Sequence, residues 1–118
     1  MILVTGGFAA GKRTWVRDHL PGREVVFFGP SEARDALKDP QKETGEKAVQ
    51  DAALRLLADH PEAVFITQEI GCGVVPQDPM DRSLREALGL AQCALAEHAE
   101  CVVYITCGIG QVIRGELK

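Results

Sequence analysis

The chain has 118 residues, 46% hydrophobic and 25% charged, with a formal net charge of −4, a globular composition long enough for one domain over residues 1–118 built on one core. The acidic balance and an aromatic content of 5% argue against a broad basic surface or a base-stacking platform, so no nucleic-acid partner is expected. The opening residues lack a basic leader and no segment is apolar for long enough to span a bilayer, so a cytoplasmic protein with no membrane partner is expected.

Residues 2–5 (ILVT) are an apolar run rich in β-branched side chains that ends at two glycines, the pattern of a buried parallel strand feeding a helix. A helix from residue 12 to about residue 20 follows and stops at Pro21-Gly22. Residues 24–29 (EVVFFG) read as a second strand. The polar stretch 30–44 is expected to hold a short helix capped by Ser31 and ended before Pro40, and otherwise to move beside the site. Over 46–59, Val49, Ala52, Ala53, Leu56 and Leu57 form one stripe, which predicts an amphipathic helix. Residues 62–70 give a third strand, 71–79 a Gly/Pro loop, and 80–100 a long helix with Leu84, Leu88, Ala91 and Leu95 in register. Residues 101–108 make a fourth strand; 111–117 add a fifth, antiparallel because Gly108-Ile109-Gly110 is too short for a crossover. Strands alternating with helices imply a three-layer α/β sandwich, mostly parallel, whose ligands bind at the carboxyl ends of the strands.

At the first of those ends stands GGFAAGKRT, residues 6–14. Gly6, four residues, Gly11 and Lys12 form the spacing of a phosphate-binding loop. Its glycines let backbone N–H groups turn inward, the following helix aims its amino terminus at the anion, and the lysine adds a point charge. The candidate phosphate site is therefore Gly6, Gly7, Phe8, Ala9, Ala10, Gly11, Lys12, Arg13 and Thr14. Arg13 occupies the place where such loops supply a hydroxyl to Mg²⁺, and Thr14 sits roughly 100° further round the helix. Three outcomes stay open at this position: a metal held by other groups, an outward Arg13 with water in place of the lost ligand, or anion binding without transfer.

Glu69, at the end of the third strand, is the candidate to hold Mg²⁺-bound water or to accept a proton from a substrate hydroxyl. Gln68 alternates with it and is expected on the opposite face. Arg82 and Arg85, three apart on one helix face, can clamp a phosphate. His19, His60 and His98 fall outside the strand-end loops. Cys72, Cys93, Cys101 and Cys107 form no CxxC pair and are expected to be reduced and in or near the core.

Together, MILVTGGFAAGKRT, VFITQEIGCGVVPQDPMDRSLREALG and the strand ending in YITCG resemble the adenosylcobinamide kinase / adenosylcobinamide-phosphate guanylyltransferase family of cobalamin biosynthesis. The resemblance implies a P-loop, RecA-like fold and oligomeric assembly. It also implies phosphorylation of a corrinoid hydroxyl by ATP or GTP with Mg²⁺, followed by GMP transfer. Residue by residue, Gly6, Gly7, Gly11 and Lys12 match the phosphate loop; Glu69, Gly71, Gly73, Val75 and Pro76 match a second motif. Arg82, Arg85, Glu86 and Gly89 match the helix after it. Lys12 and Glu69 are thus the expected catalytic pair, with Gly71, Gly73, Val75, Pro76, Arg82 and Arg85 toward the corrinoid. Family members are longer, and the added part lies between the second strand and the helix at 46–59. It carries the histidine that accepts GMP, and residues 29–44 here hold none. Two readings follow: a kinase-like protein without the guanylyltransferase part, or an inactive nucleotide- or corrinoid-binding partner on the same scaffold. The short sheet also points to a homo-oligomer.

Overall fold

A computed structural model describes residues 1–7, 10–38, 46–68 and 79–117. The elements follow the expected order: β1 (Ile2–Gly6), α1 (Lys12–His19), β2 (Val25–Phe28), α2 (Pro30–Lys38), α3 (Glu46–Asp59), β3 (Val64–Thr67), α4 (Pro79–His98), β4 (Cys101–Thr106) and β5 (Ile109–Gly115).

The strands form one sheet in the order β2-β3-β1-β4-β5. β1 lies between β3 and β4, parallel to both, with Ile2 beside Val64 and Cys101. β2 runs parallel to β3, pairing Phe27 with Ile66 and Phe28 with Thr67. β5 returns antiparallel to β4, with the register shifting between Val102 and Val103. The expected antiparallel end is therefore present, and its cause is the tight turn at Cys107-Gly108.

Side chains on the two faces of the sheet fill two cores. On one face Leu3, Phe28, Phe65 and Val102 pack under α2, α3 and α4 through Ala33, Val49, Ala53, Leu84, Leu88 and Leu95. On the other, Ile2, Val4, Val64, Ile66, Cys101, Val103 and Ile105 pack under Trp15, Val16 and Leu20 of α1. The helical stripes read from the sequence are the buried ones: Leu84, Leu88, Ala91 and Leu95 are all 4% exposed or less. A single helix of eight residues covers its face incompletely. Val25 and Phe27 on edge strand β2 and Val112 on edge strand β5 keep 36%, 40% and 43% of their surface.

Two expectations change. The helix after β2 begins at Pro30, with Gly29 before it, so Ser31 lies inside the first turn and is exposed rather than capping. The physical reason is the Gly29-Pro30-x-Glu32 sequence. Proline suits the first helical position, and the Glu32 carboxylate reaches back to the Gly29 N–H at 2.9 Å. The cysteines also divide: Cys101 is buried, whereas Cys93 on α4 and Cys107 in the β4–β5 turn are exposed and free. Cys93 falls between Ala91 and Ala94, off the apolar stripe. Cys72 lies outside the described residues.

Candidate phosphate-binding cleft

β1 ends at Gly6 hard against β4: a Cβ there would stand 2.5 Å from the Ile105 carbonyl oxygen. Only glycine lets the chain leave the sheet at this point. The turn re-enters at Gly11, whose φ of 89° is left-handed and opens α1 as its N-cap with no side-chain cap. The Gly108 N–H donates to the Ala10 carbonyl at 2.8 Å, which pins the loop's end to the β4–β5 turn. The Lys12 side chain folds back, and its Nζ donates to the Gly7 carbonyl at 2.6 Å and to the Gly6 carbonyl at 3.4 Å. The ammonium is thus aimed into the turn. The N–H groups of a helix's first turn have no intrahelical partners, and α1 places no acidic residue there. An anion at this spot meets N–H dipoles and a cation together.

These groups form one wall of a cleft of about 470 Å³ at the carboxyl end of the sheet, a volume within the range of small-molecule sites. Ala10 to Thr14 line that wall, Gly29 to Glu32 line the facing wall, and Phe27, Ile66, Thr67 and Gln68 line the rest. Two helix amino termini, α1 and α2, therefore flank the same space. Among the described lining residues the charges are Lys12, Arg13 and Glu32, a local positive balance in a chain of net charge −4. Arg13 is exposed and lays its guanidinium over the Phe27 ring, 4.5 Å from the centroid. A second, more apolar groove of about 340 Å³ lies beyond this pair, between α1 and β2.

The sequence-derived residues distribute as follows. Gly6, Gly7, Ala10, Gly11 and Lys12 come together in the loop, and Arg13 and Thr14 stand on the cleft wall, both exposed. Phe8, Ala9, Glu69, Gly71, Gly73, Val75 and Pro76 lie outside the described residues, as does the side chain of Arg82. Arg85 is half-buried on α4 and is not on the wall of this cleft. Gln68, expected on the face opposite Glu69, lines the cleft, and its placement relative to Glu69 lies outside the described residues. Regular strand alternation ends at Thr67, and the Gln68 carbonyl is held instead by Nε2 of Gln92 on α4 at 2.8 Å. His19 stacks on Trp15 with centroids 4.4 Å apart, and His60 contacts Glu24 at 3.1 Å, both away from the cleft.

Sequence reasoning missed Phe27, Glu32 and Thr67. Glu32 was legible, standing three residues after a glycine and two after a proline. Thr67 was not: its Oγ1 is buried and has no hydrogen-bond partner among the described residues, a property of the packing alone.

The described residues do not fit a protein-held Mg²⁺. Such a cation wants several oxygen ligands. The described lining offers one carboxylate, with an oxygen already engaged by Gly29, and a guanidinium stands where a hydroxyl is wanted. Among the described residues no helix is long and apolar enough to cross a membrane.

Comparison with known proteins gives two findings. Residues 33–113 match the model of the family described as cobinamide kinase / cobinamide phosphate guanyltransferase. The chain is 32% identical over 79 residues to the bifunctional adenosylcobalamin biosynthesis protein CobP of Pseudomonas aeruginosa, which covers 66% of this chain and 44% of that relative. The chain thus spans less than half of that relative's length, and the phosphate-loop residues 6–14 precede the family match.

Proposed function

The chain belongs to the cobinamide kinase / cobinamide phosphate guanyltransferase family, and on that premise we propose that it binds a nucleoside triphosphate, ATP or GTP, in the cleft and transfers its terminal phosphoryl group to the hydroxyl of a cobinamide. The observation that carries this reading is the Lys12 ammonium, held against the Gly6 and Gly7 carbonyls at the head of α1. Triphosphate oxygens replace those carbonyls as acceptors, and a charged donor to a charged acceptor makes the stronger bond. The α1 amides cradle the same oxygens. Catalysis then rests on positioning and on stabilising charge as it develops. Mg²⁺ enters with the nucleotide as part of the substrate. Glu69 remains the residue proposed to hold Mg²⁺-bound water, and the glycine-rich residues after it the proposed cover for the corrinoid.

No histidine lines the described part of the cleft, and the reading assigns no guanylyl transfer to this chain. Position 13 favours a second reading: a guanidinium occupied with Phe27 suits a protein that binds nucleotide or corrinoid and leaves transfer to another. In either reading the apolar surface left open on β2 and β5 is the proposed contact between copies of the chain.

The test is a thermal-shift series with ATP, GTP and cobinamide, each with and without Mg²⁺, followed by a phosphoryl-transfer assay on cobinamide. Ligands that bind the native state raise the melting temperature with concentration. A flat response to both nucleotides sinks the proposal. A nucleotide response without transfer selects the second reading.

A further inference from the structure

Resting on the phosphoryl-transfer reading, we infer that Glu32 and Thr67 form the acceptor side of the cleft. Glu32 takes the proton of the attacking hydroxyl, and Thr67 positions that oxygen. Neither residue belongs to the phosphate loop, and each carries an observation that loop chemistry leaves unexplained.

Glu32 is the one carboxylate among the described residues of the cleft wall. Its Oε2 accepts from the Gly29 N–H at 2.9 Å. That bond fixes the carboxylate at the head of α2 and leaves Oε1 to meet a ligand. Thr67 is 1% exposed, lines the same cleft, and keeps an unpartnered Oγ1 among the described residues. It pairs with Phe28, the residue before Gly29, so it stands beside the turn that carries Glu32. A buried hydroxyl without a partner is uncommon in a native fold and points to a missing group.

The chemistry of the missing group follows from the pair. A phosphate is drawn to Lys12 and Arg13 on the opposite wall and repelled by the Glu32 carboxylate. An alcohol suits the Glu32 side. Its O–H donates to Oε1 and its lone pair accepts from the Thr67 O–H, so both protein groups are satisfied at once. In the transfer step the alcohol oxygen forms a bond to the terminal phosphorus as its proton passes to Oε1. The bond from that phosphorus to the bridging oxygen breaks, and its electron pair leaves on the nucleoside diphosphate. The proton then returns to solvent. The products are a phosphate monoester and a nucleoside diphosphate. A fixed carboxylate in reach of the attacking oxygen is the arrangement general-base catalysis requires, and orienting that oxygen is the main protein task in such transfers.

The decisive variants are Glu32→Gln and Thr67→Val in the full chain, assayed with cobinamide and whichever of ATP and GTP binds. Glu32→Gln keeps an oxygen for the Gly29 N–H and so keeps the helix cap. It should lower kcat about 100-fold and leave the nucleotide Kd unchanged. Thr67→Val should raise KM for cobinamide and melt no lower than the parent, because its hydroxyl has no hydrogen-bond partner among the described residues. A Glu32→Gln protein with parental kcat overturns the inference and leaves the nucleotide cleft standing. So does one whose nucleotide affinity falls in step with rate. A parent that binds nucleotide but never phosphorylates cobinamide overturns the catalytic assignment alone. A parent that binds no nucleotide removes the underlying reading as well.

Discussion

Arg13 rests its guanidinium 4.5 Å from the centroid of the Phe27 ring, and this contact joins the first turn of α1 to β2 at the edge of the sheet. The pair explains how an arginine is accommodated one residue after the loop lysine. The ring face offers it a partner outside the phosphate path. It also places a guanidinium at position 13, where a hydroxyl for Mg²⁺ is expected. Changing Arg13→Ser restores that hydroxyl and removes a repelling charge. We expect Arg13→Ser to bind the Mg²⁺–nucleotide complex more tightly than the parent does, with calorimetry as the measurement; a parent that binds nucleotide equally with and without Mg²⁺ fits the second reading. Equal Mg²⁺ response in both proteins rules out this account of position 13.

Lys12 gives a sharper expectation. Its Nζ bonds to the Gly7 carbonyl at 2.6 Å, a contact that a phosphate replaces on the proposed reading. Lys12→Met keeps the aliphatic stem and removes the charge. A hydrogen bond to a charged group contributes about 1.5–3 kcal/mol, so nucleotide affinity should fall by roughly 10- to 150-fold. The fold should tolerate the change, since the nearer released carbonyl, that of Gly7, belongs to a half-exposed residue. Circular dichroism of the unliganded variant and nucleotide titration together separate the two effects. Loss of the fold would show that Lys12 is a structural brace.

The element order was legible because each signal in this sequence is local. ILVT before paired glycines can hardly be anything but a buried strand, and Leu84, Leu88, Ala91 and Leu95 fall on one face at helical pitch. The turn between β1 and α1 was legible for the same reason: Gly6 and Gly11 mark its two ends and Lys12 opens the helix. The facing wall was harder, because it depends on which strand lies beside which. Thr67 matters only because β3 pairs with β2 and so brings it next to Gly29. Glu32 was hidden behind Ser31, a better N-cap residue by type, yet Pro30 had already set the helix start.

Trp15 reports on how the loop is braced from the far side. The indole of Trp15 packs against Gly110 of β5, and a Cβ at position 110 would collide with its ring. Trp15 is also 7% exposed and belongs to the core beneath α1. Gly110→Ala therefore pushes α1, whose first turn carries Lys12, off the sheet. Forced overpacking costs about 1–3 kcal/mol, and the melting temperature should drop accordingly. The chain holds a single tryptophan, so a red shift in its fluorescence would locate the disturbance at this contact. Unchanged emission and stability would mean that the hairpin yields instead.

Cys101 sets an alkaline limit. Burial raises its thiol above the ordinary value of 9.0, and the neighbouring Glu100 carboxylate adds to the rise. In the unfolded chain the thiol ionises near the ordinary value, whereas in the fold it stays neutral to a higher pH. Its stabilising contribution is therefore complete below pH 9.0 and is lost as pH climbs through the higher folded value. Melting temperatures of the parent and of Cys101→Ala, followed from neutral pH into the alkaline range, should converge as pH rises. A constant gap would show that Cys101 ionises alike in both states. In a Cys72→Ser background, a thiol reagent should label the exposed Cys93 and Cys107 at once and Cys101 only on unfolding. Early labelling of all three would mean that β4 is open to solvent, contrary to its place between β1 and β5.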